Sequence, residues 1–106
     1  MSAPSFVALK VEAFEDRGEG DFISSTDFED IICLFNGREA VVDEIASSER
    51  LRGFLAGKFA AYLLQPELED AVEGFVQTED DPDLRKRLVL GRFRAVADHM
   101  TVAGQA

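Results

Sequence analysis

Apolar residues recur every three to four positions over most of this chain, and that spacing predicts α-helices. The first such segment covers about residues 4–15, where Phe6, Leu9, Ala13 and Phe14 share the spacing and define the expected inward face. Two glycines follow shortly after this segment. Glycine permits the backbone conformations of a turn, so the first helix is expected to end there.

A second helix is predicted to begin at Thr26. The run Thr26-Asp27-Phe28-Glu29 matches a capping box, in which the Thr26 hydroxyl would accept from the backbone N–H of Glu29. The apolar stripe that follows consists of Phe28, Ile31, Ile32 and Phe35. Asn36-Gly37 is a favourable helix stop, so this helix is expected to end there.

The same spacing predicts four further helices, at about residues 38–46, 49–64, 66–76 and 83–100. Their expected inward positions include Ala40, Val41, Ile45, Leu51, Phe54, Leu55, Phe59, Tyr62, Leu63, Leu84, Leu88, Val89, Phe93, Val96 and Met100. No segment alternates apolar and polar residues over the length of a strand. The sequence therefore predicts an all-α fold, a compact bundle of five or six short helices in a single domain over 1–106, with residues 100–106 frayed.

The charge of the chain restricts its partners. It has 21 acidic and 11 basic residues, for a net charge of −10. A field of that sign repels nucleic-acid phosphates and anionic membranes, so direct nucleic-acid binding is not expected. No apolar stretch is long enough to span a bilayer, and the first residues do not resemble a signal peptide, so we expect a cytoplasmic protein.

The single cysteine and single histidine exclude two kinds of site. One cysteine cannot form a disulfide within the chain, and Cys33 with His99 cannot supply a zinc site of the Cys/His type. Cys33 lies in the apolar run 31–35 and is expected to be a small buried side chain. We assign no catalytic role to His99 and predict no metal site in the isolated chain.

One group of charged residues is a candidate for phosphate chemistry. Lys10 lies on the first predicted helix, and Asp27 and Asp30 lie in the first turn of the second. Because the connector is short, the two helices are expected to form a hairpin that brings these three residues together. Lys10 could then bind a phosphate as a point charge, and Asp27 or Asp30 could orient Lys10 or act as a base. The alternative is purely structural, since acidic residues stabilise a helix N-terminus and pair with a nearby lysine.

A second candidate surface lies in the last third of the chain. Residues 66–83 contain acidic but no basic residues, and residues 84–94 contain basic but no acidic ones. Arg85, Lys86 and Arg92 are therefore candidates for binding an acidic partner. The alternative is that both segments are solvated helix faces of opposite charge.

The first part of the chain resembles the AbiEii-type nucleotidyltransferases, a family of bacterial proteins of which many are toxins of toxin–antitoxin pairs. The resemblance covers about residues 4–46. It is carried by the run FVALKVEAF at 6–14, by Arg17, by Asp21-Phe22, and by STDFEDII at 25–32, and it continues weakly at Arg38 and Glu44-Ile45. It implies that Lys10 contacts a nucleoside triphosphate, that Asp27 is the carboxylate of the second motif, and that Asp30 supports it.

The family's catalytic half is not represented in this sequence. That half carries a Gly-Ser turn and an Asp-x-Asp pair that binds two metal ions, whereas this chain has no Gly-Ser dipeptide and its one Asp-x-Asp is Asp81-Pro82-Asp83. Two-metal phosphoryl transfer needs such carboxylates. The chain is therefore expected to be inactive alone, with no cofactor, and to use Mg²⁺ and a nucleoside triphosphate only when a missing domain completes it.

Two functional hypotheses follow. In the first, the chain is a nucleotidyltransferase-like helical domain that completes or regulates a protein partner with the metal-binding half. In the second, it is a stand-alone acidic protein-binding module of the antitoxin or adaptor type. A nucleic-acid mimic is a third hypothesis, and a homo-oligomer is compatible with all three.

Overall fold

Six helices make up the fold in a computed structural model, which describes residues 2–17, 21–76 and 81–105, with the side chains of the last helix as far as Asp98. The helices are α1 (Ala3–Arg17), α2 (Thr26–Gly37), α3 (Val41–Ala46), α4 (Arg52–Leu63), α5 (Glu67–Phe75) and α6 (Pro82–Gln105). None of the described residues forms a strand. The predicted all-α bundle is confirmed. None of the helices in the described part of the chain is long and apolar enough to cross a membrane.

The core is built around α6, which packs most extensively against α4 and also contacts α2, α3 and α5. Phe93 of α6 is fully buried. Its ring centroid lies 4.8 Å from that of Phe35, 4.7 Å from that of Phe59 and 6.3 Å from that of Phe28. One side chain thus joins α2, α4 and α6, at the edge-to-face and tilted geometries that aromatic rings prefer.

The buried face of α1 differs from the predicted one. Val7, Val11 and Phe14 are buried, whereas Leu9 is 51% exposed. Positions i, i+4 and i+7 lie on one side of a helix, and Leu9 lies about 200° around the axis from Val7. The predicted inward orientation was also wrong for Ala40, Phe54 and Leu84, which are exposed. Met100 lies outside the described side chains.

Cys33 is exposed, so the prediction of a buried cysteine was wrong. Its neighbours Ile31 and Ile32 are fully buried. A residue one position along a helix is turned by about 100°, which rotates Cys33 out of the core. Partial burial raises the pKa of its thiol, and the nearby carboxylates of Glu29 and Asp30 raise it further. This thiol is therefore a poor nucleophile at neutral pH.

The cap of α2 lies one residue earlier than predicted. Ser25, not Thr26, has the extended backbone of an N-cap, and its hydroxyl accepts from the N–H of Phe28 at 3.1 Å. Thr26 is already helical, so its side chain does not fill the capping position. The end of α2 at Gly37 is as predicted. The last helix continues to Gln105, and the fraying of residues 100–106 stays a prediction.

Candidate functional site between α1 and α2

Three aromatic rings fix the geometry of the α1–α2 connection. Phe22, in the connector, packs against Phe14 of α1 and Phe28 of α2, with ring centroids 5.1 and 4.8 Å apart, and Phe14 lies 5.1 Å from Phe28. All three side chains are buried. Burial of this triad holds the connector against both helices, so the C-terminal half of α1 lies beside the first turn of α2.

Lys10, Asp27 and Asp30 meet at this junction, as predicted. The Lys10 Nζ lies 2.8 Å from an Asp30 carboxylate oxygen and 3.7 Å from one of Asp27. Arg17 completes the group, because its Nη2 donates to both carboxylate oxygens of Asp27, at 3.1 and 3.0 Å. We call Lys10, Arg17, Asp27 and Asp30 the α1–α2 charge cluster.

Arg17 belongs to the same charged pattern in the sequence, but no role in this site was predicted for it. A signal for it was present, since Arg17 follows Lys10 by seven residues, which places both on one side of a helix two turns apart. The spacing alone does not indicate which carboxylate Arg17 contacts. That contact spans ten residues through the connector, and it depends on the packing of the aromatic triad.

Exposure differs sharply within the cluster. The side chain of Asp27 is only 11% exposed, against 24% for Lys10, 46% for Asp30 and 71% for Arg17. Among the described residues, Asp27 is the one charged residue that is buried. A buried carboxylate is tolerated when it is paired, and Asp27 has two cations beside it and a place in the first turn of α2.

Electrostatics keep Lys10 charged. The hydrogen bond to Asp30 raises the pKa of Lys10, desolvation lowers it less, and the charges of Asp30 and Asp27 raise it further. Lys10 is therefore an ammonium ion at neutral pH and is suited to holding an anion rather than to accepting a proton. The cluster contains two cations and two carboxylates, so its charges balance.

An open cleft of about 370 Å³ adjoins the cluster and is lined by Arg17, Asp21, Ser24, Ser25, Thr26 and Asp27. The Asp21 carboxylate accepts from the backbone N–H groups of Ile23 and Ser24, both at 3.1 Å. These bonds, chiefly the one from Ser24, lower the pKa of Asp21. The connector is thereby held in a turn, and Arg17 lies at the edge of the cleft.

The predicted partner-binding residues lie elsewhere and have contacts within the chain. Arg85 donates to the side-chain and backbone oxygens of Asn36 at 2.9 and 2.7 Å, and Arg92 donates to the carbonyl of Phe35 at 2.5 Å. These carbonyls belong to the last turn of α2, where a cation is favourable. Lys86 lies 3.6 Å from the Glu73 carboxylate. Binding of an acidic partner by these residues stays a prediction, and it would compete with these contacts.

The Asp81-Pro82-Asp83 run forms a helix start. The Asp81 carboxylate accepts from the N–H groups of Asp83 and Leu84 at 3.1 and 3.3 Å, which caps α6. Within the described residues, no group of three or more His, Cys, Asp or Glu side chains could hold a metal ion. His99 lies outside the described side chains.

Comparison with known proteins gives no match to a family model, to a curated protein or to a solved structure. The resemblance of residues 4–46 to the AbiEii-type family therefore stays a prediction from the sequence alone.

Proposed function

We propose that this chain is a nucleotidyltransferase-like helical domain that is inactive alone and that completes or regulates a partner carrying the metal-binding half. The observation that supports this most is the meeting of Lys10, Asp27 and Asp30 at one junction. These are the residues to which the resemblance assigns the triphosphate contact and its supporting carboxylates. The proposal places the chain in a bacterial cytoplasm, in a system of the toxin–antitoxin kind.

Each residue has a defined part in the proposal. Lys10 would hold a phosphate of the nucleotide as a point charge, and Arg17, which lines the adjoining cleft, adds a second cation. Asp27, paired and buried, would fix the positions of both cations. Magnesium ions supply charge neutralisation in phosphoryl transfer, and their ligands would come from the partner's Asp-x-Asp pair.

A second candidate function is a stand-alone protein-binding module. The balanced charges of the α1–α2 cluster favour it, because a site whose cations are already paired can be purely structural. The net charge of −10 then suits a basic protein partner. The two candidates differ in whether the isolated chain has any affinity for nucleotides.

Nuclear magnetic resonance titration with Mg–ATP separates the two candidates. The first predicts weak binding, with Kd on the order of 1 mM. Only a few attractive contacts act against the repulsion between ATP and a strongly acidic protein. Shifts in amide resonances should be centred on residues 10, 27 and 30. Lys10→Ala should remove them, and neither protein should transfer a nucleotide alone.

Lys58→Ala is the matched control. Lys58 is a partly buried lysine of α4, outside the α1–α2 charge cluster, and its Nζ lies 2.5 Å from the Glu15 carboxylate. The Lys58→Ala substitution should leave the Mg–ATP titration unchanged. Absence of any shift in the wild type would contradict the nucleotidyltransferase proposal and favour the binding module. Equal losses in the two variants would show that binding follows overall charge rather than Lys10.

A further inference from the structure

The two carboxylates of the α1–α2 charge cluster hold the cations in different ways. Asp27 receives two hydrogen bonds from Arg17 and lies 3.7 Å from Lys10. Asp30 has the short contact to Lys10, at 2.8 Å, and almost half of its side chain is exposed. Asp27 is thus a fixed, buried partner, whereas Asp30 binds Lys10 from the solvent side.

We infer that Asp30 is a placeholder that occupies the phosphate-binding position of Lys10 when no nucleotide is present and must be displaced for a phosphate to bind. This inference rests on the proposed function and adds a regulatory contact to it. It reverses the supporting role that the resemblance implies for Asp30. A carboxylate and a phosphate oxygen both accept from the same ammonium group, so they compete for Lys10.

Exposure explains why displacement is feasible. An ion pair whose carboxylate is almost half exposed contributes little free energy, since water solvates Asp30 well when the pair separates. Asp30 can rotate into solvent without leaving a buried charge behind, and Lys10 stays beside Asp27 when Asp30 leaves. The Phe6 ring also faces the ammonium group, with its centroid 5.6 Å from Nζ, which helps to hold Lys10 in place.

The raised pKa of Lys10 agrees with this arrangement. Its largest cause is the hydrogen bond from Lys10 to Asp30. Replacing Asp30 with asparagine should therefore lower the pKa of Lys10 toward its ordinary value while Lys10 stays protonated at neutral pH. This shift can be followed in the side-chain resonances of Lys10 without any ligand.

The test measures affinity for Mg–ATP in the wild type, in Asp30→Asn and in Glu29→Gln, at fixed low salt. The placeholder predicts that Asp30→Asn binds about threefold to tenfold more tightly, because it frees Lys10 and removes a charge that repels phosphate. Glu29→Gln removes one negative charge from the neighbouring position of α2, so it controls for overall charge. Its gain should be smaller than that of Asp30→Asn.

Lys10→Ala combined with Asp30→Asn completes the experiment. Without the lysine, the Asp30 substitution should give no gain beyond that of Glu29→Gln. Weaker binding by Asp30→Asn, or a gain equal to that of Glu29→Gln, would overturn the placeholder and leave the proposed function intact if the wild type binds. If neither the wild type nor Asp30→Asn binds Mg–ATP, both the proposed function and the placeholder are overturned.

Discussion

Asp27 is the buried charge at the centre of the α1–α2 cluster, and its replacement measures how much that cluster stabilises the fold. Asp27→Asn keeps the shape but removes the charge that faces Lys10 and Arg17. We expect a loss of about 1–3 kcal/mol in the free energy of unfolding, less than for a fully buried pair because Arg17 is mostly exposed. Urea unfolding at neutral pH measures it.

Asp16→Asn is a suitable control for that substitution, since Asp16 is an exposed carboxylate near the end of α1. A change within about 0.5 kcal/mol is expected for it. If Asp27→Asn proved equally mild, the cluster would add no stability, and a role in ligand binding would be the better reason for its presence.

Tyr62 is a second residue that affects stability. Its environment predicts that the free energy of unfolding falls at alkaline pH. Its hydroxyl donates to Glu15 Oε2 at 2.8 Å, and its ring is buried among Phe14, Phe22 and Phe28. Burial, then the hydrogen bond and charge of Glu15, raise the pKa of Tyr62 well above its ordinary value. The folded state therefore keeps the phenol proton at a pH where the unfolded state loses it.

Proton linkage gives the direction in which stability changes with pH. Below the ordinary pKa of about 10 both states are protonated, and above it the unfolded state binds fewer protons, so stability falls as pH rises. Tyr62→Phe should cost about 1 kcal/mol at pH 7 through the lost hydrogen bond. The wild type should lose about 1 kcal/mol more than the variant between pH 10 and 11.

Urea unfolding at pH 7, 9, 10 and 11, followed by circular dichroism, measures both parts of this prediction. The chain has one tyrosine, so the comparison isolates one phenol. Other groups near it, Glu15 and Lys58, are present in both proteins. Parallel pH curves for wild type and variant would contradict the raised pKa of the Tyr62 phenol.

The element most dependent on distant residues is α2. Its N-terminal part carries Asp27 and Asp30, and its last turn is bonded to Arg85 and Arg92 of α6. The two arginines are seven residues apart and therefore lie on one side of α6. Both ends of α2 are thus fixed by contacts with other helices, which positions the carboxylates of the candidate site.

Arg92→Ala tests the fixation of α2 by α6. The variant should lose about 1–2 kcal/mol of unfolding free energy, because a partly buried carbonyl loses a charged donor. Amide hydrogen exchange should become faster at the end of α2 more than elsewhere. Arg94→Ala removes an exposed arginine of the same helix and should change stability by less than about 0.5 kcal/mol.

If Arg92→Ala were as mild as Arg94→Ala, the contact to Phe35 would contribute nothing, and Arg92 would be available to a partner, as the sequence predicts. The substitution therefore also decides between the structural and the partner-binding interpretation of Arg92. A strong structural loss would leave Lys86, held at 3.6 Å from an exposed Glu73, as the more accessible of the predicted partner-binding residues.

The helices could be predicted from the sequence because their existence depends on local periodicity, but their orientation depends on more. Apolar residues surround much of α1, so spacing fitted both the Phe6–Leu9 side and the Val7–Val11 side. The meeting of Lys10 with Asp27 and Asp30 was predictable because the connector is short. The contacts of Arg85 and Arg92 join residues 49 and 57 positions away, and no local pattern encodes them.

At the scale of the whole molecule, the fold depends on a shared aromatic core. The rings of the α1–α2 junction continue through Phe28 and Tyr62 into the rings of Phe59 and Phe93. The candidate site therefore lies on the same packed unit that joins α4 to α6. A core of this kind predicts that the site and the far helices unfold together.

Phe93→Ala tests that cooperativity. Removing a fully buried ring that contacts three other rings should cost about 3–5 kcal/mol, a large share of the total stability of a domain this size. Phe54→Ala removes an exposed ring of α4 and should cost less than about 1 kcal/mol. Urea unfolding followed by circular dichroism and by the amide resonances of Lys10 and Asp30 should give one common midpoint, shifted downward in Phe93→Ala.

Separate midpoints for the two signals would show that the α1–α2 junction folds independently of α6, and a short peptide of those two helices would then be expected to keep the charge cluster. A common midpoint would mean that the candidate site exists only when the whole bundle is folded.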